Sequence, residues 1–274
     1  MSWILGWRSW VLALVLLAAN WGLGRWPALV ELWAERLSAP LGLAVARLVS
    51  GVDFSVAEVL IYSGLLGLVP LLVHQRHALP RLLRVVITVA LWGAVVFVNL
   101  WGMQYRRPPI LERLGWEDPG ATTVEELERV GLLAAYQARI AYRQALWAED
   151  LGRASEVGPM ASLYPAVERG YAAVAAEAPA LGASFAWPRP SPKPLRSTFA
   201  LVRFGLLGFY FPFTGEASLT IDAPGQQVPH AAAHEMAHQR GIAREDEANF
   251  MGFWVCIRSD DAYVRHPASK KLYK

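Results

Sequence analysis

The run His234-Glu235-Met236-Ala237-His238 sets two imidazoles four residues apart around a carboxylate. On a helix that spacing brings both rings to one face, where they can share one Zn2+ ion. Glu235 stands about 100° further round, within reach of a water on the metal. Catalytic zinc takes three protein ligands, keeps a fourth position for water and lowers the pKa of that water toward neutrality. Glu235 is therefore the candidate general base, accepting the water's proton and returning it to a leaving amine. The reaction best suited to these groups is hydrolysis of a peptide bond in a protein or peptide substrate by the activated water, although the same nucleophile serves other bonds.

A third ligand has to come from elsewhere. Gly241 can end the first helix, and a second begins near Arg244. Within it Glu245 and Asn249 lie four apart on one face, so Glu245 could complete the zinc shell while Asn249 hydrogen-bonds a ligand from behind. The longer pattern H-E-x-x-H-x-x-G-x-x-H matches as far as Gly241 and then fails, because Arg244 occupies the third His position and Arg cannot bind zinc. Upstream, residues 216–222 alternate and are rich in strand formers, predicting a strand whose open edge could hold an extended peptide. Tyr210 and His230 are the nearest groups that could polarise a scissile carbonyl, and spacing marks out neither.

His234-Glu-x-x-His238 followed by Glu245-Asp-Glu247-Ala248-Asn249 resembles the two-helix signature H-E-x-x-H then E-x-x-A-[ND]. Several zincin families with a Glu third ligand share it, among them integral-membrane prenyl-protein and stress peptidases and soluble phage-immunity peptidases. The resemblance implies that Glu245 binds zinc, with Glu247 as the alternative ligand. A broader resemblance runs through Phe54 to Glu58, Trp101 to Pro109, Gly208 to Ala217 and His234 to Phe250. These look like successive blocks of one bacterial membrane family of unknown function, which implies an architecture and a motif but no substrate. Relatives in that family usually continue for several helices past the second zinc helix, so the short basic ending after Asp261 is expected to be a C-terminal truncation that could cost activity.

Composition supplies the setting. The chain has 274 residues, 54% of them hydrophobic and only 18% charged, too apolar for an average soluble protein. Its apolar stretches predict three transmembrane helices at about 3–23, 54–73 and 85–103. The first lacks a small-residue cleavage site at the end of its apolar core and reads as an uncleaved anchor. Glu58 falls four residues into the second, an interfacial position. Residues 37–52, with Pro40 and Arg47, are too short for a further crossing and suit an interfacial helix.

Basic residues set orientation. Arg8 and the acid-free loop with Arg76, Arg81 and Arg84 favour the cytoplasm for the N-terminus and second loop, against Arg106 and Arg107 after the third span. The catalytic part is then extracytoplasmic, on a bacterial inner (cytoplasmic) membrane; few Lys beside many Ala, Leu, Arg and Trp suggests a genome of high GC content. Beyond residue 103 basic and acidic side chains balance, and no clustered basic face accompanies the pI of about 9.1, so nucleic acid is not an expected partner. The expected partners are the lipid bilayer and a protein or peptide substrate.

Residues 104–274 read as mostly helical. Thr123 and Glu126 form a capping signal for a helix to about Glu149, and another runs from about Met160 to Glu177, with Tyr164 and Tyr171 as packing residues. Pro188, Pro190, Pro192 and Pro194 make a stiff connector, and the apolar stretch Phe199 to Phe213 either packs in the core, lines a substrate pocket next to the zinc or rests on the bilayer surface. The lone Cys256 is expected to be buried. The expected fold is thus mainly α: a membrane domain at 1–103 with three transmembrane helices, then a mostly helical zincin-like metallopeptidase domain at 104–274 with a small β element. The rival expectation is a non-catalytic membrane scaffold or pseudoprotease with a structural or vestigial metal site.

Overall fold

The computed structural model describes residues 6–74, 79–117, 120–147, 160–220 and 227–265. They are mainly helical with one small sheet. Helix α1 is Trp7–Leu23 and α2 is Pro27–Trp33, which passes through a π-helical turn at Ala34–Ser38 into α3, Ala39–Val49. Then come α4, Val56–His74, and α5, Leu79–Leu100. Only α5 is both long and apolar enough to cross a membrane by length and composition among the described residues. The other two expected spans are shorter apolar helices, Trp7–Leu23 and Val56–Pro70. The expected 85–103 boundary also shifts: the helix begins at Leu79, because Arg81 and Arg84 do not interrupt helix geometry, and it ends at Leu100 before a 3-10 turn at Gly102–Arg106.

The apolar helices have a fixed relative direction. Trp10 Nε1 donates to Thr88 Oγ1 at 2.9 Å, and Trp92 Nε1 to Ser9 Oγ at 2.9 Å. Further on, Gly24 lies against the Arg106 side chain. Helix α1 therefore runs parallel to α5. Ser9, Ala13 and Asn20 form its buried face, and such small and polar residues let two helices approach closely and bond across the gap. Helix α4 starts beside the sheet, and from Val59 to Pro70 all its side chains are exposed.

Helix α6 is Ile110–Arg113 and α7 is Val124–Trp147. The capping signal forms as expected: Thr123 N donates to Glu126 Oε2 at 2.9 Å, and Glu126 N to Thr123 Oγ1 at 3.2 Å. The expected end near Glu149 lies outside the described residues. Helix α8, Met160–Glu177, has the expected bounds.

The β element is small, as expected, and holds two strands besides the one expected at 216–222. Strands β1 (Lys193–Leu195), β2 (Gly208–Phe211) and β3 (Glu216–Thr220) form one sheet in the order β1-β3-β2. β1 pairs parallel to β3 and β2 antiparallel to it. The proline-rich connector therefore ends in a strand, tolerated because β1 is an edge where Pro194 can forgo a ladder bond. The strand expected to offer its open edge is the central one, flanked on both sides. Helix α9, Thr198–Arg203, links β1 to β2.

Helices α10 (Val228–Gln239) and α11 (Glu245–Arg258) pack on α8 and the sheet around Tyr171, Phe185, Leu219, Met236 and Met251. Burying each such side chain contributes about 1.5–3 kcal/mol. Small residues set the helix spacing: at Gly170 of α8 a Cβ would fall 2.4 Å from the Val255 carbonyl oxygen of α11. Cys256 is buried, with Sγ 3.5 Å from the Pro229 carbonyl oxygen.

Candidate metal centre

Helix α10 carries the histidines, and contacts at its middle and past its C-terminal end place it. Tyr171 of α8 donates its hydroxyl proton to the Ala233 carbonyl at mid-helix. Past the last turn, Gly241 takes φ +80° and the chain reverses. A Cβ there would lie 2.9 Å from Gln104 Oε1 and 3.2 Å from Arg107 Nη1, so the turn is pressed onto the segment that follows α5. Arg107 is in turn held by Glu31 of α2 in a two-pronged pair at 3.0 and 2.8 Å. The reversal lets the Ile242 carbonyl return to the helix, where it meets His238 Nδ1 at 2.6 Å.

That contact fixes the ring. With Nδ1 donating to a carbonyl, a neutral His238 presents the lone pair of Nε2. Burial drives the imidazole below its ordinary pKa, more strongly than the Ile242 carbonyl and Glu245 raise it. His238 Nε2 lies 3.1 Å from His234 Nε2. Glu245, the first residue of α11, closes the triangle with Oε2 3.2 Å from His234 Nε2 and Oε1 3.5 Å from His238 Nε2. These three are the group that could hold a metal ion among the described residues. Tetrahedral zinc with ligand bonds of roughly 2.0–2.2 Å sets its ligands about 3.3–3.6 Å apart, within a few tenths of an ångström of the three edges, so these residues could hold one such ion. Three acceptors at this spacing repel one another unless a cation or proton lies among them.

Glu235 is buried on the flank of α10 that faces the sheet, and its Oε2 has no hydrogen-bond partner among the described residues. Burial, and next the charge of Glu245, push its carboxyl up to about 8. Gly208 of β2 makes the room: a Cβ there would fall 2.8 Å from Glu235 Cγ and 2.6 Å from the Ser218 carbonyl oxygen.

The remaining expected residues fall outside the triangle. Glu247 turns the other way, accepting the Ile110 N–H at 2.9 Å. Asn249 is exposed, and its carbonyl oxygen lies 3.3 Å from His230 Nε2. Tyr210 packs its ring on Trp101, centroids 4.8 Å apart, and its hydroxyl lies toward Gly42 of α3. Tyr210 and His230 are thus engaged in packing and helix contacts. Glu58 accepts the N–H groups of Arg196 and Ser197, both at 2.8 Å, which makes it a connector between α4 and the start of α9.

Two contributors escaped the sequence reading. The Ile242 carbonyl is a backbone group, signalled only by the glycine before it. Arg240 is buried with its guanidinium 3.7 Å over the Tyr171 ring and paired with Glu168, tying the end of α10 to α8.

The four sequence blocks also meet here. Glu216 of β3 accepts the N–H groups of Val56 and Ala57 at 3.1 and 2.8 Å, Ser55 Oγ lies 3.3 Å from Ser218 Oγ, and the Trp101 ring stands 5.5 Å from His238. Neither a curated protein nor a solved structure matches the chain. The family described as "Protein of unknown function (DUF3810)" matches residues 39–274, a range that takes in every one of these blocks, and the chain belongs to that family.

Proposed function

We propose that this protein is a membrane-anchored, zinc-dependent metallopeptidase that hydrolyses peptide bonds of membrane or envelope proteins. The observation that carries the reading is the triangle of His234 Nε2, His238 Nε2 and Glu245 carboxylate, with edges of 3.1, 3.2 and 3.5 Å. A zinc ion held by those residues would supply a Lewis acid and a water of lowered pKa. Glu235 takes the proton of the attacking water as its oxygen adds to the scissile carbonyl, and hands it to the amine as the C–N bond breaks. The buried Oε2 of Glu235, without a hydrogen-bond partner among the described residues, supports a group kept for that exchange rather than for structure. Gly208 keeps the adjacent strand backbone close to this carboxyl, and an edge such as β2 can hold an extended chain.

Membrane anchoring in this proposal is multi-pass. The parallel run of α1 and α5, with α4 leading away from the sheet, supports three crossings with the catalytic part on one side, here the extracytoplasmic side of a bacterial inner membrane. The test is zinc content of the detergent-purified protein together with cleavage of a peptide library. About one zinc per chain and a cleavage lost on chelation would support the reading, and a folded chain that takes up no zinc when supplied would sink it.

A further inference from the structure

Three large apolar side chains crowd one short stretch between β1 and β2. Phe199 is 74% exposed, Phe204 81% and Leu206 50%. Single exposed apolar residues are ordinary, whereas a contiguous group marks a surface with a partner.

The partner follows from what the stretch adjoins. Its upstream end is fastened to α4 by Glu58, which accepts the Arg196 and Ser197 N–H groups, and by the Tyr62 hydroxyl against that of Ser197. From Val59 onward α4 exposes Leu60, Ile61, Leu65 and Leu66. Downstream, Phe213 meets Phe97 of α5 with ring centroids 6.3 Å apart, one turn before that helix ends. The aromatic stretch thus continues the apolar surface of α4 and α5 at their site-side ends. Charge agrees: the sequence from 178 to 215 holds no Asp or Glu, while Arg196 and Arg203 bracket the exposed helix. The Arg203 guanidinium lies 4.7 Å over the Phe199 ring, a pairing that leaves the cation at the apolar boundary, where anionic headgroups attract it.

We propose that α9 and the loop to Leu206 form a wedge that inserts into the phospholipid bilayer, with Phe199, Phe204 and Leu206 among the acyl chains and Arg196 and Arg203 at the headgroups. Because β2 begins two residues later and its Gly208 touches Glu235, the wedge holds the site at the membrane surface. The proposal rests on the membrane part of the function reading and not on its chemistry.

A nitroxide depth measurement tests it. With Cys256→Ser as background, single labels at Phe204→Cys, at Leu66→Cys in α4 and at Glu125→Cys in α7 are read in nanodiscs of phosphatidylethanolamine and phosphatidylglycerol. Collision with oxygen is compared with collision with a water-soluble nickel chelate. The expected result is that Phe204→Cys favours oxygen several-fold, as Leu66→Cys does, while Glu125→Cys favours nickel. A nickel-accessible label, or one shielded from both and so buried against protein, overturns the wedge and leaves the peptidase reading intact. If Leu66→Cys is nickel-accessible as well, the wedge and the membrane reading fall together. Phe199→Cys repeats the measurement should Phe204→Cys not fold, and bound zinc is assayed separately.

Discussion

The indole of Trp101 stands edge-on to the imidazole of His238, with centroids 5.5 Å apart and planes at 81°. Trp101 is the first residue after α5, and its N–H donates to the Phe97 carbonyl at 2.8 Å as though the helix continued. The residue that follows the longest apolar helix among the described residues is therefore in direct contact with one corner of the candidate metal triangle. A tryptophan at such a boundary has an apolar body for one side and an N–H for the other. The site is built against the helix end rather than carried on a separate lobe.

The metal triangle makes a prediction by substitution. His234→Ala, His238→Ala and Glu245→Ala should each lower zinc from about one per chain to below roughly a tenth, since catalytic zinc is held by three protein ligands and each variant leaves two. Glu247→Ala should keep its zinc but lose about 1 kcal/mol of stability, because the Ile110 N–H loses its acceptor. Elemental mass spectrometry and thermal unfolding read the two effects separately. Zinc lost from Glu247→Ala and retained in Glu245→Ala would reverse the ligand assignment.

Glu235→Gln is nearly the same size and keeps the packing against Gly208, so metal content should not change. Turnover should fall by about 10²–10⁴-fold, the usual contribution of a positioned general base. Unchanged kcat in this variant would remove Glu235 from the mechanism.

Gly208 is predicted to be intolerant of any side chain. In Gly208→Ala the new methyl would meet a carbonyl oxygen at 2.6 Å and Glu235 Cγ at 2.8 Å, and the carbonyl belongs to the neighbouring strand and cannot swing aside. Overpacking of this kind costs about 1–3 kcal/mol. The melting temperature should drop and hydrolysis with it, while zinc stays near one per chain; an unperturbed melting curve would contradict the close approach.

Acid stability should depend on the pair of Glu31 and Arg107. Burial raises the Glu31 carboxyl, but the hydrogen bond and charge of Arg107, with Arg113, outweigh it and hold the group below its ordinary 4.5. A carboxyl depressed in the folded state stabilises fully above its unfolded pKa, and the contribution disappears as pH falls through the lower folded value. Thermal unfolding midpoints measured from pH 6 down to pH 3 should therefore decline, and decline less steeply in Glu31→Gln. Equal slopes for the two proteins would show that this pair plays no part in acid unfolding.

The sequence by itself determined the local features that depend on neighbours along the chain. The four-residue spacing of His234 and His238 needs only a helix to bring the rings together, and the Thr123–Glu126 box and the bounds of α8 are likewise set by nearby residues. Tertiary structure decided whatever joins distant segments. Glu245 and Glu247 are chemically alike and two residues apart, so a helix sends them to different sides, and only the packing of α11 decides that Glu245 meets the histidines while Glu247 accepts the Ile110 N–H. The proline connector became an edge strand because β3 was there to pair with it, which no propensity of Lys193-Pro194-Leu195 encodes. The direction of α1 relative to α5 was likewise settled by the bonds from Trp10 to Thr88 and from Trp92 to Ser9, between residues about eighty apart in sequence, and hydropathy carries no record of such pairings.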